Sequence, residues 1–355
     1  MPAQIRVLIV DDSAVMRQIL TQILSSDPAI EVVGTAVDPY AAREKIVALK
    51  PDVLTLDVEM PRMDGLTFLE KLMRARPMPV VMISTLTQAG GEVTLRALEL
   101  GAIDFVPKPT IDTREGVIES AAEIVAKVKT AAQARIVPRI TLPVRSALEK
   151  QQVTFRTTSQ MIALGASTGG TEALRCILSA MPANAPGIVV VQHMPPGFTA
   201  TFAGRLNEVC AMSVKEAKNG DRVLQGQVLI APGSFQTAIV RSGAEYRVRV
   251  TDDPPVNLHR PSVDVLFESC ARYAGSNAVA AILTGMGDDG GRGMRQMRDA
   301  GARTIAQDEA SCVVFGMPRV AIELGGAEYV LPLHRIAEEL LHLADGIGAG
   351  GKLSA

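Results

Sequence analysis

Short apolar runs that stop abruptly at polar residues recur along this chain. Ile5 to Val10 is apolar apart from Arg6 and runs straight into Asp11, Asp12 and Ser13. A helical pattern follows at Val15, Met16, Ile19, Leu20, Ile23 and Leu24, apolar at three- and four-residue spacing. Unbroken apolar runs of this length suit strands buried on both faces, as in parallel sheets. A second strand–helix unit covers Glu31 to Leu49. Three more strands follow: Val53 to Leu56 ends in Asp57, Val80 to Ile83 in Ser84-Thr85, and a strand near Asp104 to Val106 in Pro107-Lys108-Pro109. Five strands alternating with helices predict a doubly wound parallel sheet.

The pattern then lapses and resumes. A helical stretch from Val117 to Thr130 gives way to Arg135-Ile136-Val137-Pro138-Arg139-Ile140-Thr141-Leu142-Pro143 and a polar run through Thr158, a linker by its prolines and lost periodicity. Met161 to Ala166 is again an apolar strand, followed by a small-residue turn and a helical pattern at Ala173, Leu174, Ile177 and Leu178. Gly187 to Gln192, rich in β-branched residues, is a strand ending at His193, with a helix from about Thr199 to Val209. Val228 to Arg249 carries shorter strands broken by Pro232-Gly233 and Ser242-Gly243, antiparallel in character. Asn277 to Leu283 is a further buried strand, ending in Thr284-Gly285-Met286-Gly287-Asp288-Asp289-Gly290-Gly291, and a helix from Gly293 to Ala300 follows. Both halves are therefore α/β.

Composition narrows the picture only moderately. At 355 residues the chain exceeds one typical core and predicts two domains. Hydrophobic residues at 47% and charged residues at 21% are ordinary for a globular protein. A net charge of −2 gives no global pull toward nucleic acid or anionic membranes. No basic recognition helix stands between Met161 and Leu340, which argues against a nucleic-acid-binding effector. Aromatics are only 3%, so stacking platforms for single strands are not expected. The four cysteines (Cys176, Cys210, Cys270, Cys312) form no close pair and read as reduced thiols rather than a zinc site. With neither a signal-peptide pattern nor an apolar run of spanning length, the expectation is a cytoplasmic protein without membrane insertion.

The candidate chemistry sits at the strand ends, where ligands bind in sheets of this kind. Asp11, Asp12 and Asp57 come from distant sequence yet share one end of the first sheet. Three crowded carboxylates need a cation, and hard oxygen ligands suit Mg²⁺. Lys108 and the Ser84 hydroxyl point into the same cleft, and a carboxylate so placed can accept a phosphoryl group. In the second half, Gly165, Ser167 and Gly169 match the G-x-S-x-G spacing of a nucleophile elbow. A phosphate-binding turn with Ser167 as an ordinary N-cap fits the same stretch, although the lysine of a P-loop and the full G-x-G-x-x-G are both missing. A serine nucleophile needs a base and an orienting carboxylate. Of four histidines, His334 and His342 fall on a C-terminal amphipathic helix and His259 in a loop where it could touch substrate; His193 alone ends a buried strand. Asp288 and Asp289 are adjacent, and the residues alone do not choose between them.

The order VDDS, LDVEMPRMDG, MIST and VPKP strongly resembles the receiver domain of two-component response regulators, over roughly residues 4–127. The resemblance implies a flavodoxin-like (βα)5 fold, Asp57 as phosphoacceptor, Asp11 and Asp12 with it as Mg²⁺ ligands, and Ser84 and Lys108 as switch residues. GASTGG, VVVQHMPPGF, NLHRPSVDVLF, AILTGMGDDG and ASCVVFGMPR resemble the catalytic domain of the chemotaxis-specific protein-glutamate methylesterase (CheB) family, placed at 159–346. A linker would then occupy 128–158 and a disordered tail 347–355. This second resemblance implies Ser167 as nucleophile, His193 as base and Asp289 as its orienter, with backbone N–H groups of Thr168 and Met286 facing the oxyanion. It further implies hydrolysis of glutamate γ-methyl esters on methyl-accepting chemoreceptors with release of methanol, and deamidation of receptor glutamines. The phosphoryl donor would be the chemotaxis histidine kinase. No cofactor is expected in the esterase chemistry, and nothing in the sequence demands more than a monomer.

Overall fold

The computed structural model describes residues 4–84, 88–109, 114–136 and 160–346. The chain divides into two units, Met1–Ile136 and Val137–Ala355. In the first, the order is β1 (Ile5–Val10), α1 (Ala14–Ser25), β2 (Ile30–Ala36), α2 (Pro39–Leu49), β3 (Val53–Asp57), α3 (Gly65–Ala75), β4 (Val80–Ser84), α4 (Gln88–Leu100), β5 (Asp104–Pro107) and α5 (Arg114–Gln133). The strands lie in the order β2-β1-β3-β4-β5 and every pair is parallel. This is the flavodoxin-like doubly wound order, with its switch point between β1 and β3. Every residue of β3 and β4 is buried, as the unbroken apolar runs require. Ser13, Asp38 and Asp64 cap the first three helices by accepting from the N–H of Met16, Ala41 and Thr67, each satisfying a donor left over at a helix start.

Helix α5 runs to Gln133, so the first residues of the expected linker are helical. The remainder of that linker, 137–158, and the expected tail, 347–355, lie outside the described residues.

The second unit continues with β6 (Met161–Ala166), α6 (Gly170–Ser179), β7 (Gly187–Gln192), α7 (Phe198–Val209), β8 (Ser213–Glu216), β9 (Gln227–Ile230), β10 (Gln236–Ser242), β11 (Glu245–Thr251), α8 (Val263–Tyr273), β12 (Ala278–Ile282), α9 (Gly291–Asp299), β13 (Arg303–Gln307), α10 (Met317–Glu323), β14 (Tyr329–Leu331) and α11 (Leu333–Gly346). Seven strands form a parallel sheet in the order β14-β13-β12-β6-β7-β9-β8, and β10-β11 make a separate antiparallel pair. The antiparallel expectation for 228–249 therefore needs one correction. Strand β9 inserts parallel between β7 and β8, because Val228, Leu229 and Ile230 are an unbroken apolar run buried on both faces. Only β10 and β11 show the half-buried alternation of a hairpin.

Strand order reverses at β6, which has β7 on one side and β12 on the other. Beneath this point Phe267 and Val263 of α8 pack with Met161, Ala163 and Ile282 in an aliphatic core. Cys270 and Cys312 are buried, Cys176 and Cys210 half-buried, and all four are free thiols. His334 and His342 are exposed on α11. Among the described residues no helix is long and apolar enough to cross a membrane.

Candidate active site and phosphoacceptor cleft

Register places the residues expected as nucleophile and base side by side. Ala166 pairs with Gln192 across β6 and β7, so Ser167 and His193 are the next residues off two neighbouring strands. On the other flank β6 pairs with β12, Gly165 opposite Ile282, and the Ser167 N–H donates to Thr284 O at 3.0 Å. The small residues around Ser167 are demanded by contacts. A Cβ on Gly165 would lie 2.3 Å from Val263 Cγ1, on Gly170 2.2 Å from Gln192 Oε1, and on Gly285 2.7 Å from Ser167 Cβ. Gly169 has φ +76, where a side chain is strained. Thus the turn is a sharp strand-to-helix elbow, and Ser167 O accepts from the Gly170 N–H at 2.7 Å and from Gln192 Nε2 at 2.9 Å.

His193 Nε2 lies 2.8 Å from Asp289 Oδ2. The ionised carboxylate only accepts, so Nε2 carries the proton and the Nδ1 lone pair is the basic position. Nδ1 is buried and has no hydrogen-bond partner, so the bond from Ser167 Oγ is not closed in this conformation. Asp289 is held by four further donors: Ser262 Oγ at 2.7 Å, Asn257 Nδ2 at 2.8 Å, Val263 N–H at 2.6 Å and Asp264 N–H at 3.2 Å. Two of these are amides at the start of α8, so the carboxylate sits at a helix N-terminus, where negative charge is favoured. Burial alone would push the Asp289 carboxyl up, but the hydrogen bond and charge of His193, with Ser262 and Asn257, outweigh it and hold it well below the usual range. Asp288, the other candidate, is exposed. Geometry thus separates two aspartates that the residue pattern, taken without the resemblance, leaves level.

Thr168 is buried and its carbonyl accepts from Thr284 Oγ1 at 3.0 Å. Met286 follows Gly285, whose backbone abuts Ser167. The His259 ring stacks on the His193 ring, with centroids 3.7 Å apart and planes 14° from parallel.

In the first unit, ligand oxygens of Asp11, Asp12 and Asp57 lie within 4.8 Å of one another. Lys108 Nζ is 2.8 Å from Asp57 Oδ2 and 3.9 Å from Asp11 Oδ2. Ser84 ends β4 in the same cleft, and its carbonyl accepts from the Lys108 N–H at 2.7 Å. Asp11 Oδ1 takes the Ser13 N–H at 2.8 Å, whereas Oδ2 is buried without a hydrogen-bond partner. Burial first, then the Asp57 charge, push the Asp11 carboxyl up to about 6 against the opposing pull of Lys108. An orphaned carboxylate oxygen beside two others fits a hard divalent cation.

Residues 162–340 match the CheB methylesterase family, and residues 7–119 match the response regulator receiver domain. The chain belongs to the CheB methylesterase family. It is 58% identical over 348 residues to a protein-glutamate methylesterase/protein-glutamine glutaminase of Xanthomonas campestris pv. campestris, covering 96% of this chain and 97% of that one. The Salmonella typhimurium protein of the same designation is 57% identical over 339 residues, with the same coverage. The crystal structure of the Thermotoga maritima CheB methylesterase catalytic domain is 41% identical with TM-score 0.51, covering 53% of this chain and all of that one.

What the sequence did not disclose in this CheB-family site is the support around Asp289. Asn257 Nδ2 also reaches Asp264 Oδ2 at 2.8 Å, and Asn257 Oδ1 accepts from Arg292 Nη2 at 2.8 Å. Asp264 is buried and takes the Gly293 N–H at 2.7 Å. The one local signal was Ser262 ahead of an apolar helical run, an N-cap pattern.

Proposed function

We propose that this chain is a phosphorylation-activated serine esterase in which Ser167, His193 and Asp289 act on the γ-methyl ester of a protein glutamate. The observation that carries the reading is His193, which leaves the strand next to that of Ser167, pairs through Nε2 with a five-donor Asp289 and keeps Nδ1 without a hydrogen-bond partner. Nδ1 takes the Ser167 proton as Oγ bonds to the ester carbonyl carbon. His193 then returns that proton to the departing methoxide, which leaves as methanol. Water attacks the acyl-enzyme with the same base, giving the free glutamate carboxyl and restoring Ser167. Backbone N–H groups of Thr168 and Met286 face the oxyanion, and a donor of this kind is worth on the order of 3 kcal/mol in other serine hydrolases. An amide passes through the same acyl-enzyme with ammonia as leaving group, which extends the reaction to glutamine deamidation. The substrates are methyl-accepting chemoreceptors.

Asp57 is the phosphoacceptor in this reading, with Asp11 and Asp12 completing the ligand set for Mg²⁺. The ion supplies charge neutralisation at the acceptor when bound. Lys108 and Ser84 follow the charge placed on Asp57 and carry the change to the rest of the receiver. The donor is the chemotaxis histidine kinase, and the chain works as a monomer.

Methanol release from methylated chemoreceptor membranes tests this, with intact protein, Ser167→Ala and Asp57→Asn, each with and without a small-molecule phosphodonor. Intact protein releases methanol faster with the donor; Asp57→Asn releases it without responding to the donor; Ser167→Ala releases none. Release that survives Ser167→Ala sinks the nucleophile assignment.

A further inference from the structure

The turn that carries Asn257 to Asp289 holds a second residue, Leu258, with no part in the chemistry above. The Val256 N–H donates to His259 O at 3.0 Å and the His259 N–H to Val256 O at 2.8 Å, so Asn257 and Leu258 form a two-residue corner. Both are left-handed, with φ 51 and 66. That is the geometry of a type I′ turn, which takes Asn readily at its first corner and strongly prefers Gly at its second. Asn257 suits its position; Leu258 does not, because the left-handed region brings Cβ against the following carbonyl.

Nor does the Leu258 side chain gain burial in return. At 96% exposure it is the most exposed large apolar side chain among the described residues. The turn is nonetheless fixed in place. Asn257 is tied to Asp264, Asp289 and Arg292, and the His259 ring at its foot stacks on His193. Two more exposed apolar side chains stand on loops reaching the same centre. Met286, 41% exposed, follows the glycine that abuts Ser167. Phe235, also 41% exposed, follows Ser234, whose N–H donates to Arg260 O at 3.0 Å. A rigid backbone in a disfavoured conformation, displaying a leucine to solvent at the edge of a catalytic centre, is the kind of strain that accompanies function.

We propose that Leu258, with Met286 and Phe235 on neighbouring loops, is the docking knob for the segment of the substrate protein that carries the esterified glutamate. The inference rests on the esterase reading, and its occupant follows from continuity with the catalytic centre. An ester cleaved by Ser167 must lie against His193, and the chain carrying it then covers this rim. Apolar side chains near the ester on that segment give Leu258 the contact that its own fold withholds.

The test uses the intact chain and three variants, with methylated chemoreceptor membranes as substrate and methanol as product. Leu258→Gly and Leu258→Asn both suit a left-handed corner, so neither lowers the melting temperature. Each raises KM about tenfold, in keeping with removal of a buried apolar anchor, and the loss falls on KM rather than kcat. Leu258→Met restores most of the affinity. An unchanged KM in both polar and glycine variants overturns the proposal. So does a fall in kcat at constant KM, which would make the turn a support for His259 alone. Raised activity without phosphodonor, coupled to a lost response to it, would assign the knob to the receiver unit and overturn the proposal too. No methanol from the unsubstituted chain is a different result, and it would remove the esterase reading beneath.

Discussion

Asn257 bridges two buried carboxylates, and its removal gives a sharp forecast. Its Nδ2 donates to Asp289 Oδ1 and Asp264 Oδ2, both at 2.8 Å. Hydrogen bonds to charged groups contribute roughly 1.5–3 kcal/mol each. Asp289 keeps four donors after the loss, so its share falls near the lower end. Asp264 keeps the Gly293 N–H at 2.7 Å and only a long contact, 3.4 Å, to Arg292 Nε, so its share is larger. Asn257→Gly preserves the left-handed backbone while deleting the side chain, which separates hydrogen bonding from turn strain. Glycine adds an unfolded-state entropy cost below about 1 kcal/mol. The sum is a destabilisation of about 4 kcal/mol, or roughly 8–16 °C in melting temperature for a unit of this size.

Activity should respond in the same direction but through His193. With one donor gone, Asp289 orients the imidazole less firmly, and kcat for methanol release falls about tenfold, a loss of roughly 1.4 kcal/mol in transition-state stabilisation. Asn257→Asp sharpens the test because its shape is nearly the same. It turns a donor into a third acceptor between two carboxylates, so at neutral pH it should be worse than Asn257→Gly in both assays, and it should recover as acid protonates the new group. Urea denaturation and methanol release measure the two effects. If Asn257→Asp proves as stable and active as the parent, the clamp plays no part and the reasoning fails.

Two further outcomes follow from the same geometry. Gly285→Ala places a methyl 2.7 Å from Ser167 Cβ and 2.3 Å from Met317 Sδ; we expect about 1–3 kcal/mol of overpacking cost and a loss of kcat larger than that stability change explains, and an alanine variant with parental kcat would show that the backbone there is free to shift. Asp289 ionises in the folded chain well below the 3.8 of an unperturbed carboxyl, so its charge stabilises the fold at every pH above that value and the contribution is lost only as acid approaches the lower folded value; the stability gap between parent and Asp289→Asn should shrink as pH falls below about 4, and a gap that stays constant from about pH 5 to pH 2 refutes it.

Much of this molecule could be read from where apolar runs stop. Burial on both faces demands unbroken aliphatic strands, and a parallel sheet gathers their ends on one edge, so Asp11, Asp57 and Ser84 are legible from sequence as one group in the first unit, and Ser167 and His193 as another in the second. Strand β9 reads as antiparallel from sequence because it is only four residues long, too short for periodicity to separate a core strand from a hairpin arm. Asp289 could not be separated from Asp288 for a different reason. Both leave β12 in the same loop, and the choice is made by α8, which arrives from elsewhere in sequence and aims its first amides at one carboxylate only.

That dependence explains why the support of the site was hidden while its chemistry was not. Ser167 and His193 are placed by local signals, a small-residue elbow and a strand end. The Asp289 carboxylate is held by a helix N-terminus, a serine cap and an asparagine in a left-handed turn, each ordinary in its own stretch of sequence. Only packing brings them to one carboxylate. The order Ser, His, Asp along the chain, unlike the Ser, Asp, His of α/β-hydrolases, is then a natural consequence. Any strand end near the switch point can supply the acid, provided some helix start is there to hold it. In this chain that helix is α8, and the turn just before it also displays Leu258. Support of the triad and display of the leucine therefore come from one loop, so Asn257→Gly should disturb kcat and Leu258→Gly KM although the two residues are adjacent.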